Sequence, residues 1–90
     1  MAREPTTEAD ILAEIIEPDR PGLTPESARS ILALRFNPEG VRRMNELAEK
    51  NRQGTLTEGD RALMEKYLRV GTFLNLMQAK ARVSLAASGG

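Results

Sequence analysis

The 90-residue chain contains no cysteine and no histidine. The first absence excludes disulfides, thiolate zinc sites and thiol nucleophiles together. The second removes the commonest metal ligand and the commonest general base. Tryptophan is also absent, and Phe36, Tyr67 and Phe73 are the only aromatic residues. A core must therefore come from Leu, Ile, Met and Val, which suits helix packing better than a sheet. Apolar runs span only a few residues, whereas a membrane-spanning helix needs about 20. The opening Met1-Ala-Arg-Glu-Pro-Thr-Thr-Glu8 lacks the basic-then-apolar order of a secretory signal. These absences predict a cytoplasmic chain with no membrane segment.

An excess of one charge is lacking as well: 13 Lys and Arg balance 13 Asp and Glu. The balance is uneven along the chain. Residues 1–26 carry Glu4, Glu8, Asp10, Glu14, Glu17, Asp19 and Glu26 against Arg3 and Arg20, a net of −5 that the remainder offsets with +5. This acidic segment either stays solvated or lies against the basic remainder of its own or a neighbouring chain. Exposed ion pairs contribute little, so charge alone does not choose. Ninety residues allow a single small domain, and chains of this size lean on disulfides, metals or oligomerisation. With Cys and His absent, oligomerisation is the support that remains.

What is present is helical punctuation. Residues 1–7 read as a disordered arm in which Thr7 caps a first helix, with Ile11, Leu12, Ile15 and Ile16 as its apolar stripe. Pro18, Pro21 and Gly22 end that helix. Leu23-Thr24-Pro25-Glu26 starts a second, with Thr24 as cap and Pro25 in the first turn, where no donor is needed. Its apolar face is Ala28, Ile31, Leu32 and Leu34, and it stops near Phe36. Asn37-Pro38 begins a third helix to about Asn51, with Val41, Met44, Leu47 and Ala48 inward and Gly54 suited to a left-handed cap. Thr57 opens the last helix, with Asp60 three residues on in a capping-box arrangement. No segment alternates with period two between hairpin turns. The expectation is an all-α fold with one domain over residues 8–86 and a flexible tail at 87–90.

The last helix, from Thr57 to about Leu85, carries the strongest signal. Leu63, Tyr67, Val70, Leu74, Met77 and Ala81 follow at steps of four and three. The helix should be about 42 Å long. A globule of this chain length is only about 31 Å across. Three short helices packed on the first half of the long one would leave its second half bare. Around residues 73–77 the apolar side chains point in several directions, and Val83 and Leu85 extend them. The candidate partner-binding residues are therefore Val70, Phe73, Leu74, Leu76, Met77 and Val83, with Phe73, Leu74 and Met77 as anchors. The covering surface would be a second copy, giving a helical homodimer or higher oligomer, or an unidentified partner protein.

The basic residues offer an alternative, a nucleic-acid-binding regulator using Arg42, Arg43, Arg69, Lys80 and Arg82. Zero net charge and scarce stacking aromatics weigh against it. Glu49, Asn51, Gln53, Gly54, Leu56 and Asp60 fall on positions of a calcium-loop frame, yet Glu replaces the first Asp and Asp the last Glu. Those residues serve equally as a helix end, a cap and a new start. No serine or lysine has a base or oxyanion loop beside it in sequence, so neither enzymatic activity nor a cofactor is expected.

The stretch Leu23-Thr-Pro-Glu26, Arg43-Met44, Glu46-Leu-Ala-Glu-Lys50, Gly54-Thr-Leu-Thr57, Tyr67-Leu-Arg-Val-Gly71 and Gln78-Ala-Lys-Ala-Arg-Val-Ser-Leu85 resembles a group of short uncharacterised bacterial proteins. They occur in planctomycetes and similar lineages and are sometimes encoded beside HNH-type endonucleases. The resemblance spans residues 23–85. It implies an accessory or regulator of a nuclease-like neighbour, and brings no catalytic residues with it.

Overall fold

The computed structural model of the chain describes residues 7–89, and these hold four helices and no strand. They are α1 (Glu8–Ile16), α2 (Pro25–Leu32), α3 (Pro38–Gln53) and α4 (Glu58–Ser88). The expected N-terminal arm falls, apart from Thr7, outside the described residues. No helix among them is long and apolar enough to cross a membrane.

Each helix start follows from local hydrogen-bonding chemistry. The Thr7 hydroxyl accepts the Asp10 N–H, while the Asp10 carboxylate accepts the Thr7 N–H, a reciprocal capping box. The same exchange joins Thr57 and Asp60 at the start of α4. Thr24 caps through the Ser27 N–H and Asn37 through the Gly40 N–H, each with proline in the first turn. α3 ends on Gly54 at φ 71°, a left-handed cap that suits glycine. α1 ends on Glu17 at φ 51°, the one described non-glycine residue with positive φ. α2 stops at Leu32, earlier than its sequence suggests. α3 runs on to Gln53, and α4 runs through Ser88 into the expected tail.

The contacts divide the chain into two units. One comprises the described residues up to Leu34 together with those from Gly71 onward, and so unites α1, α2 and the second half of α4. Its buried residues are Ile16, Ala28, Ala81 and Ser84. Ala28 and Ala81 have no exposed surface, which requires neighbouring atoms at van der Waals distance on every side. Leu74, Met77, Ala81 and Ser84 succeed one another at steps of three and four, so they form one core-facing stripe.

Polar side chains of α4 then fasten the ends of the short helices. The Leu23 N–H donates to Ser84 Oγ at 3.1 Å. Gln78 Nε2 donates to the carbonyls of Ile31 (3.1 Å) and Leu34 (3.0 Å), closing the end of α2. Lys80 Nζ donates to the carbonyls of Ile16 (2.8 Å), Glu17 (3.4 Å) and Arg20 (3.2 Å), where α1 stops. A cation there also meets the negative end of the α1 dipole. Gly22, with φ 153°, lets the chain pass close to the Lys80 stem: a Cβ there would lie 3.5 Å from Lys80 Cε.

The second unit, Arg35–Val70, is a helical hairpin of α3 and the first half of α4. Leu47 is its one buried large apolar side chain among the described residues. The Phe36 and Tyr67 rings meet at 5.8 Å with a 53° tilt. Arg43 Nη1 donates to the Tyr67 hydroxyl at 3.0 Å, and Lys50 faces Asp60 at 3.5 Å.

The expected arrangement therefore needs a correction. α3 packs on the first half of α4, while α1 and α2 are fastened to its second half. The half expected to be bare is covered on the side of Ala81 and Ser84, because Gln78, Lys80 and Ser84 recruit backbone groups that an apolar count does not register.

Candidate interaction surface

The six residues expected to bind a partner do not share one environment. Phe73 is exposed at 44% and Val70 at 55%. Leu74, Leu76, Met77 and Val83 are half-buried. Leu74 and Met77, expected as anchors, belong to the same stripe as buried Ala81 and Ser84, so their first role is to hold their own unit together. Gly71 meets nothing within 4 Å of where a Cβ would stand, so its chain makes no close backbone approach there.

Other apolar side chains are open too. Leu68 is exposed at 60%, and Val41, Leu34, Ile11 and Ile15 are exposed as well. In the hairpin unit a concavity of about 170 Å³ is lined by Met44, Leu47, Ala48, Met64, Tyr67 and Leu68. Phe36, Leu63, Lys66, Tyr67 and Val70 line a second of about 220 Å³. Two helices alone enclose the line between them and leave a groove on either side, which explains both hollows. Sequence reasoning missed Met64 and Leu68. Their signal was an i, i+4 apolar pair displaced by one position from the Leu63–Tyr67 seam, on the flank of the same helix.

The five basic candidates are mostly engaged. Arg42 pairs with Glu39 and Glu46 on its own helix. Its guanidinium pKa is raised, chiefly by the hydrogen bond it donates to Glu39 and also by the charge of Glu46. Arg43 bonds Tyr67, and Arg69 also has a partner. The Lys80 ammonium is directed at three carbonyls. Arg82 is exposed. Arg42, Arg43 and Arg69 belong to the hairpin unit, and Lys80 and Arg82 to the other.

The residues of the calcium-loop frame are likewise occupied. Glu49 pairs with Arg52 and accepts from Gln53, while Asp60 caps α4. The Asp60 carboxyl is held below its usual range, first by the Thr57 N–H and further by the Thr57 hydroxyl and Lys50. Among the described residues no three His, Cys, Asp or Glu side chains stand together as a metal site. Comparison with protein-family models, with curated proteins and with solved structures gives no match.

Proposed function

We propose that this chain is a small non-enzymatic interaction module that associates through α4, foremost with a second copy of itself. The observation that supports this is the run of open apolar side chains on that helix, Leu68, Val70 and Phe73, each more than two-fifths exposed. Exposed apolar residues scattered singly need no explanation, but Leu68 lies on one side of the helix and Val70 and Phe73 on the other, so α4 is apolar on more than one side, and such a helix is buried on more than one side. A thin core adds to the argument. No large side chain is completely buried among the described residues, so burial within one chain leaves much of the available apolar contact unused. Zero net charge removes long-range repulsion between copies.

Sedimentation velocity of the full chain across a concentration series tests the reading. The expected result is a species of at least twice the monomer mass that dissociates on dilution. A strict monomer at every concentration, up to about 1 mM, where a specific contact worth about 4 kcal/mol would be half formed, overturns self-association.

A further inference from the structure

We infer that the groove on the α3–α4 hairpin lined by Met44, Leu47, Ala48, Met64, Tyr67 and Leu68 is the contact face for the same groove of a second copy of this chain. The inference rests on the self-association proposed above and names its surface and symmetry. It moves that surface from the second half of α4, where α1 and α2 are fastened, to the hairpin, where one side of each helix remains open.

Three features carry it. The first is shape and lining. The groove is apolar along its length, and Leu68 on one wall stands 60% exposed while Val41 continues the other wall one turn before Met44. Two methionines give it an adaptable lining that fits an equally apolar surface. A two-helix hairpin that buries its open side against another becomes a four-helix arrangement with a shared core.

The second feature is the rim. Arg61 and Glu65 stand at i and i+4 on α4, one turn before Met64 and Leu68 respectively on the same flank, and both are exposed. Among the described residues neither forms an ion pair, although Arg42, Arg52 and Lys50 of the facing helix all do. The rim thus keeps one charge of each sign unspent beside an apolar strip.

The third feature is what that rim selects. A two-fold interface places the same patch on itself, so the patch must be self-complementary. With the two α4 helices antiparallel across the axis, Arg61 of one copy lies along Leu68 of the other and reaches the adjacent Glu65, and the contact occurs twice. A partner of one charge sign would meet the wrong rim residue at one end. A second copy meets the right one at both. Charge pairing of this kind selects partner and orientation more than it adds affinity.

The test uses the full chain and two sets of variants, read by sedimentation and by far-UV circular dichroism. Leu68→Asp should weaken the dimer by roughly 30-fold or more, as a central anchor does, with helix content unchanged because Leu68 is already open to solvent. Arg61→Glu and Glu65→Arg should each weaken it several-fold, and the double reversal should restore it to near the wild-type constant. The charge variants preserve the apolar strip, so they keep the test valid if Leu68→Asp unfolds the chain. A dimer that persists in Leu68→Asp, or charge variants that fail to show rescue in the double reversal, overturns this surface while leaving self-association through α4 standing. A wild-type chain that is monomeric throughout overturns both.

Discussion

Lys80→Met isolates the contact that fastens α1. The substitution preserves the apolar stem beside Gly22 and removes only the ammonium and the three hydrogen bonds it donates. Of those bonds the one to Ile16, at 2.8 Å and partly buried, is short enough to count fully. Hydrogen bonds from a charged donor contribute about 1.5–3 kcal/mol net. The carbonyls of Glu17 and Arg20, at 3.4 and 3.2 Å, are exposed and regain water, so they add little. A loss of about 2 kcal/mol follows. A chain of this size is stable by about 5–13 kcal/mol in total, so that loss is a substantial fraction. The midpoint of thermal unfolding should fall by about 8–16 °C. Unfolding is followed by circular dichroism at one fixed chain concentration, because the proposed association would make the midpoint concentration-dependent. Amide exchange supplies the local readout: α1 should lose protection while α3 keeps it, since the three bonds of Lys80 go to Ile16, Glu17 and Arg20 and α3 belongs to the other unit. A midpoint within about 2 °C of wild type, or exchange that rises equally in α1 and α3, would falsify the assignment of Lys80 as the clasp of α1.

Gly71→Ala should stabilise the chain by about 0.5–1 kcal/mol, since Gly71 lies inside α4 and a methyl there meets nothing within 4 Å. A denaturant midpoint that drops instead would mean a neighbouring molecule occupies that space. Asp60→Asn reports on the α4 cap through pH. The folded carboxyl titrates below its usual value, so its stabilising effect is present above about pH 4 and is lost as pH falls through the lower folded value. The wild type should therefore lose more stability than Asp60→Asn between about pH 5 and pH 2. Parallel stability curves for the two proteins would refute the cap's electrostatic role.

Much of the backbone was legible because helix starts are local chemistry. Thr7, Thr24, Asn37 and Thr57 each sit three residues before the amide they cap, and Pro25 and Pro38 occupy the turn where a missing donor costs nothing. Gly54 announced its left-handed turn for the same reason. The ends were less clear. α2 stops at Leu32 although apolar Leu34 and Phe36 continue its pattern, and Gln78 reaches across 44 and 47 residues to take up its last carbonyls.

The candidate surface was legible in part. Val70 and Phe73 are open as expected, whereas Leu74 and Met77 belong to the stripe that carries Ala81 and Ser84. Periodicity shows that a residue shares a face with its neighbours, but not whether that face meets its own chain or another. The decision came from Gln78, Lys80 and Ser84, which look like ordinary polar residues on a helix until their distant acceptors are known.

Local sequence thus determined that the described residues form four helices and where each begins, because capping and periodicity act within a few residues. Only the tertiary structure decided which stretch of α4 each short helix covers, because that depends on bonds between residues about 40 to 65 positions apart. It left the hairpin groove beside Met64 and Leu68 open because two helices, packed along one line, cannot shelter both flanks.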